Sequence, residues 1–313
     1  MKIIRNIVAA LFLLSMIGYG VLRFYDGFYS DKTAPVITLD EDAMELSVED
    51  PEEMLMEGVT ARDDQDGDLT DKVLIESIGS FLSDGSREVT YVVSDDAHNV
   101  GRAVRTLTYS DYRSPRFSCK EALRFPVGEQ VDVLDYLTAS DVLDGDLSSR
   151  IRLTYGQQSD LGMTEGRYEL GYQVSNSAGD VSRVDLMVEI YDTKDEAYTP
   201  VIHLNRYICY VKKGKKFDPY QYIKEVSIGS RSYEPVKSAT ASPVEEGTKI
   251  TGLFGELSNR ESDREALDIL YCQDIYVDNQ VDTAKTGSDI ITYKITTQDG
   301  YTGTARLAVV VYE

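Results

Sequence analysis

Tyr168-Glu169-Leu170-Gly171-Tyr172-Gln173-Val174 runs into Ser175-Asn176-Ser177-Ala178-Gly179, and the chain returns through Arg183-Val184-Asp185-Leu186-Met187-Val188-Glu189-Ile190. On the way out Tyr168, Leu170, Tyr172 and Val174 alternate with Glu169, Gly171 and Gln173. On the return Val184, Leu186, Val188 and Ile190 face one way, and Arg183, Asp185 and Glu189 the other. Successive side chains of a strand point to opposite faces, so a period of two on both sides of an Asn/Ser/Gly turn predicts a half-buried hairpin. The pattern occurs twice more. Val89, Tyr91 and Val93 precede the turn Asp95-Asp96-Ala97-His98-Asn99, and Ile291, Tyr293 and Ile295 precede Gln298-Asp299-Gly300.

Working back from each hairpin, every repeat opens on a proline: Thr33-Ala34-Pro35-Val36-Ile37, Ser114-Pro115-Arg116-Phe117 and Thr199-Pro200-Val201-Ile202. A residue without an N–H suits the first, edge strand of a domain. Pro35, Pro115 and Pro200 lie 80 and 85 residues apart, the size of a small sandwich. A middle marker joins the first two repeats. Asp63-Asp64-Gln65-Asp66-Gly67-Asp68-Leu69-Thr70 matches Asp141-Val142-Leu143-Asp144-Gly145-Asp146-Leu147-Ser148. The third repeat lacks it, and spans 93 residues from Pro200 to Tyr293 against 56 and 57 in the others, so an insertion of roughly 35 residues falls within 227–286. Helical periodicity is weak beyond the N-terminus, apart from a helical pattern over 262–270. The expected fold is all-β: tandem β-sandwiches over 31–112, 113–195 and 196–313, behind an N-terminal segment 1–30.

These marks together resemble bacterial immunoglobulin-like surface domains, related to hyalin-type repeats. The resemblance rests on the Thr-x-Pro opening, Asp-Gly-Asp-Leu-Thr, and a Tyr-x-Val-Ser-Asp-x-x-x-Asn hairpin. It is close over 33–111, looser over 112–192, and partial over 198–313. It implies that the tandem sandwiches are immunoglobulin-like and lie at the cell surface of a bacterium, and implies no ligand.

Lys2 and Arg5 precede an apolar run from Ile7 to Leu22, which Arg23 ends and Phe24, Tyr25, Phe28 and Tyr29 follow. The run is slightly short of the ~20 residues of a spanning helix, and snorkelling Arg5 and Arg23 with interfacial aromatics make up the difference. No small-residue cleavage pattern follows it, so an uncleaved single-pass anchor through residues 7–22 is expected rather than a signal peptide. The basic side is the N-terminal one, which places the N-terminus in the cytoplasm and the domains outside.

The formal net charge of −22 repels phosphate backbones and anionic lipid, so nucleic acid is not an expected partner. Three cysteines (Cys119, Cys209, Cys272) and two histidines (His98, His203) lack the spacing of a zinc site or a Cys/His nucleophile. Whether Cys209 and Cys272 pair stays open. No nucleophile elbow, P-loop or His-Glu-x-x-His occurs, and the expectation is a non-enzyme without an obligate cofactor.

Two candidate sites stand out. The acidic loops supply Asp63, Asp64, Asp66 and Asp68, and then Asp141, Asp144 and Asp146, carboxylates that suit calcium. The other reading is a tight turn whose Asp side chains accept from nearby N–H groups, and the fewer acids of the second loop favour it there. In the third repeat Lys212, Lys213, Lys215 and Lys216 flank Gly214, followed by Tyr220 and Tyr222. They are either a solvated turn with edge tyrosines or a docking patch for an acidic protein or envelope polysaccharide. Adhesion or ligand binding at the cell surface is the leading function. The alternatives are a spacer or assembly subunit of an envelope complex, and a carbohydrate-active accessory.

If the N-terminal run is an anchor, replacing Leu13 and Leu14 by Asp releases or mislocalises the chain, since a charge at the helix centre costs ~3 kcal/mol. Fractionation of cells expressing the variant checks this. A mature N-terminus near residues 25–32 on the parent protein refutes it.

Overall fold

The computed structural model describes residues 2–29, 31–157, 161–250 and 270–313. The chain divides into two compact units, Met1–Tyr112 and Arg113–Glu313.

The first unit begins with α1 (Lys2–Tyr29). Its stretch Ile3–Val21, of mean hydropathy 1.7, is long and apolar enough to cross a membrane. Leu11, Phe12, Leu14 and Ile17 stay 62–66 % exposed, so the described stretch Ile3–Val21 buries no apolar stripe of the kind an amphipathic core helix would. Seven strands follow: β1 (Val36–Leu39), β2 (Ala43–Leu46), β3 (Val59–Asp63), β4 (Gly67–Asp68), β5 (Leu74–Ile78), β6 (Arg87–Ser94) and β7 (Val100–Tyr109). They form two sheets, ordered β1-β3-β4 and β2-β7-β6-β5, with β2 parallel to β7 and the other pairs antiparallel. The alternation read in the sequence is the packing itself. Val89, Tyr91 and Val93 of β6 are at most 2 % exposed and share a core with Val59 and Ala61 of the other sheet and with Leu69, just past β4. A buried phenol needs a partner, and Tyr91 Oη donates to Leu55 O at 2.5 Å.

The second unit repeats this plan twice. One sandwich has β8 (Arg116–Cys119), β9 (Arg124–Pro126), β10 (Leu137–Asp141), β11 (Gly145–Asp146), β12 (Arg152–Tyr155), β13 (Gly166–Ser175) and β14 (Val181–Tyr191). Its sheets run β11-β10-β8 and β12-β13-β14-β9. The other has β15 (Val201–Leu204), β16 (Ile208–Lys212), β17 (Ile223–Ile228), β18 (Arg231–Tyr233), β19 (Lys249–Ile250), β20 (Tyr276–Asp278), β21 (Gly287–Thr297) and β22 (Thr302–Tyr312). Here the orders are β15-β17-β18 and β16-β22-β21-β19, with β20 also on β21. Tyr293 Oη donates to Pro219 O at 2.8 Å, repeating the bond of Tyr91. Part of the predicted insertion, including most of the helical pattern over 262–270, lies outside the described residues. All three cysteines are free and buried, so Cys209 and Cys272 do not pair.

In the first and third sandwiches the opening proline meets the closing hairpin. A Cβ on Gly101 would stand 1.9 Å from Pro35 O, and one on Gly303 1.8 Å from Pro200 O. Only glycine lets the lead-in chain cross the last strand that closely.

The two sandwiches of the second unit share one continuous buried core instead of hanging as separate beads. Hydrogen bonds cross between them: Tyr207 N–H donates to the main-chain Cys119 O at 3.1 Å, and Phe117 N–H to the side-chain Tyr210 Oη at 2.6 Å. The Arg116 guanidinium lies 4.9 Å from the ring centres of both Tyr210 and Tyr312. Glu189, whose alternation assigns it to the solvent face of β14, is instead enclosed. It accepts from Arg306 Nη1 at 2.7 Å and Thr304 Oγ1 at 2.8 Å. That face is polar because it is a seam, not because it is wet.

Burial alone would raise the Glu189 pKa, but Arg306 and Thr304 outweigh it and hold the carboxyl below the ordinary 4.5. A depressed folded pKa adds stability that is present above about pH 4.5 and lost as pH falls through the lowered value. Glu189→Gln leaves the Arg306 charge, 9 % exposed, without its counter-ion. We expect a loss of about 3 kcal/mol at pH 7, and an acid-side fall in stability smaller than the parent's. Thermal melts between pH 3 and pH 7 check both.

Candidate functional site

Most of the acidic-loop side chains have work in the fold. Asp63 Oδ1 accepts from the N–H groups of Gln65 (2.8 Å) and Asp66 (3.0 Å), closing the turn between β3 and β4. Asp66 Oδ2 reaches across to Asp96 N–H in the β6–β7 turn at 2.7 Å, and Asp68 Oδ1 caps Thr70 N–H at 3.0 Å. Asp64 is exposed. The second loop does the same. Asp141 Oδ1 accepts from Asp144 N–H, Asp144 accepts from Ser177 N–H and Oγ–H and pairs with Arg150, and Asp146 caps Ser148. Asp64, Asp66 and Asp68 therefore do not converge on one point, and neither do Asp141, Asp144 and Asp146. These are turns built from carboxylate acceptors, and the donors keep Asp63, Asp68, Asp144 and Asp146 below the usual aspartate range.

What converges is a set the alternating-acid pattern did not single out. Asp31, Asp63 and Asp95 each place a carboxylate oxygen within 4.8 Å of the others. Asp31 comes from the segment between α1 and β1, Asp63 from the end of β3, and Asp95 from the turn after β6. Asp63 is 4 % exposed and Asp95 3 %. Asp31 Oδ1 accepts from Thr33 N–H and Oγ–H, and Asp95 accepts from Asn99 N–H and Nδ2–H, both at 2.7 Å. Among the described residues the buried Oδ2 atoms of Asp31 and Asp63 have no hydrogen-bond donor. Lys72 pairs with Asp96 at 2.9 Å and not with a member of the cluster. A sequence signal for this set exists only in three dimensions, because 64 residues separate Asp31 from Asp95.

The lysines of the third sandwich sit in the turn after β16. Lys212, Lys213, Lys215 and Lys216 are all exposed around Gly214, whose φ of 74° the turn requires. Lys213 reaches Glu313 at 2.8 Å. Tyr220 and Tyr222 are half-buried. Tyr222 packs on the core and stacks on Phe217 with ring centres 5.7 Å apart, so the open part of this patch is the lysines. Burial pushes the Cys119 and Cys209 thiols up to about 11, which removes the thiolate a nucleophile needs. His98 holds φ 69° in the β6–β7 turn, and His203 Nε2 bonds Ser227 Oγ at 2.7 Å.

No known family matches the sequence, and no curated protein does. Solved structures with some likeness include the CBM51-2 and INT domains of Clostridium perfringens ZmpB (18 % identity, 48 % of this chain, TM-score 0.20). The chain spans about a quarter of the length of that chain, 26 %. Protocadherin gamma B7 extracellular cadherin domains 1–4 (11 % identity) and Drosophila N-cadherin EC1-4 (14 %) are each matched over 90 % of this chain and 76 % of theirs, both at TM-score 0.20.

Proposed function

We propose that this chain is a non-enzymatic, membrane-anchored cell-surface protein that binds a protein or an envelope polysaccharide through its third sandwich. The carrying observation is the Lys212–Lys216 turn: four exposed cations on a chain of net charge −22, on the one sandwich that departs from the repeat. The fold does not need those charges, since exposed side chains contribute little to stability. An acidic or anionic partner would meet them by electrostatic attraction. The exposed apolar α1 supports attachment to a membrane, and the buried, high-pKa thiols support the absence of covalent catalysis.

A second reading, a spacer or assembly subunit of an envelope complex, is favoured by the shared core of the second and third sandwiches. Two domains fused in this way make a stiff body, as a strut requires.

The test is binding of the full chain in micelles to isolated envelope polysaccharide and to envelope proteins. Replacing Lys212, Lys213, Lys215 and Lys216 by Gln should leave melting unchanged and abolish a retention that, in the parent, weakens between 0.05 and 0.5 M salt, on the order of the screening range. Equal retention by the quadruple variant makes the patch a solvated turn and leaves the spacer reading in possession.

A further inference from the structure

The three sandwiches contain their own control for the carboxylate cluster. Strand register aligns them: Val36 faces Arg62, Arg116 faces Ser140 and Val201 faces Ser227. The next residue is Asp63 in the first sandwich, Asp141 in the second and Ile228 in the third. In the first two sandwiches it meets the residue that caps the closing hairpin by accepting from an N–H four residues on, and the third hairpin carries the same cap at the equivalent place. That residue is Asp95 (from Asn99, 2.7 Å), Asn176 (from Asp180, 2.9 Å) and Thr297 (from Tyr301, 3.1 Å). All three caps are at most 5 % exposed.

The pairs therefore read acid–acid, acid–amide and apolar–hydroxyl. In the second sandwich the half-buried carboxylate finds its donor inside the protein, because Asn176 Nδ2 donates to Asp141 Oδ2 at 2.8 Å. In the third it does not arise. In the first, Asp95 has no proton to give, and Asp63 Oδ2 is left buried without a donor. A third acid then adds to it. The equivalents of Asp31, four residues ahead of each opening proline, are Asp111 and Glu196. Both are engaged elsewhere: Asp111 accepts from Ser47 and Val48, and Glu196 from Tyr191. Only Asp31 turns onto the hairpin end, with its own Oδ2 buried and unpartnered.

We infer that Asp31, Asp63 and Asp95 hold a hard divalent cation of the calcium type. An all-oxygen, all-anionic ligand set excludes the soft or nitrogen-seeking metals. Flexible coordination completed by water suits calcium better than magnesium, which demands a near-ideal octahedron. Asp31 lies two residues past the end of α1, so the ion clamps the lead-in segment onto the first sandwich. The link between the apolar helix and that sandwich is then stiff with calcium and loose without it.

The experiment uses the full chain in detergent micelles, stripped with EGTA, at pH 7 and 0.15 M KCl. Calcium alone should bind at one saturable site per chain and raise the melting of the first unit by roughly 5–10 °C at tenfold excess over Kd. Cleavage after Lys32 by endoproteinase Lys-C should slow in parallel. Asp95→Asn recreates the Asp141–Asn176 arrangement that already folds in this chain, so it should fold, keep its cap and lose all three responses. Asp66→Asn, outside the cluster, should keep them. The proposal is overturned if calcium moves none of these readouts in the parent, or if Asp95→Asn responds like the parent. It also fails if Asp66→Asn alone abolishes the response, or if magnesium acts as strongly as calcium.

Discussion

Each sandwich depends on one buried polar residue at the end of its longest strand pair. The hairpins β6–β7, β13–β14 and β21–β22 run through the middle of the larger sheets and bring in Tyr91, Tyr172 and Tyr293, each fully buried. Their register is set where the chain reverses, and at that point a residue's own N–H and side chain both bond to the residue four further on. A slip of one position would turn every core side chain of the pair outward. The cap is inside the fold, so its polar atoms must be satisfied there. Whatever stands opposite it in the neighbouring strand therefore has to be chemically compatible, and Asp63, Asp141 and Ile228 answer that demand in three ways.

The strands were readable because a hairpin with one buried face writes its geometry as alternation. Tyr172, Val174, Val184 and Leu186 are inside for the reason the period of two implies. The opening prolines and the spacing of the repeats were readable on similar grounds. What alternation cannot tell is what covers the polar face. Glu189, Asp185 and Arg306 look like solvent residues in sequence, yet Glu189 pairs with Arg306 and the Asp185 N–H bonds Ser288 Oγ. A charged residue is as suitable for a polar seam between two sheets as for water, and only the partner decides which it meets. The candidate site shows the same limit. Asp63 was legible as part of an acidic loop, but Asp31 and Asp95 come from segments that only the closed sandwich brings together.

The acidity of the chain takes on a different meaning in this light. A carboxylate is an acceptor without a donor, and a turn that must satisfy two or three converging N–H groups is served by it directly. Asp66, Asp68, Asp84, Asp144, Asp146, Asp218 and Asp282 all act this way. Much of the negative charge thus accompanies a preference for Asp at turns, and does not by itself announce a substrate or an ion. The informative carboxylates are the ones with oxygens left over.

Measured so, the distance between a structural cap and a cation site is very small. Asp95 and Asn176 accept the equivalent hairpin N–H at 2.7 and 2.9 Å, from the same depth, each one residue past the end of its strand, β6 or β13. They differ in one atom of the side chain, oxygen or nitrogen. With nitrogen, the facing Asp141 receives a hydrogen bond and the end of the sandwich is complete. With oxygen, the cap holds equally well but the facing Asp63 goes without its donor, and the positive partner has to come from outside the chain. A repeat can gain or lose a cation requirement at this position without disturbing the turn that folds it.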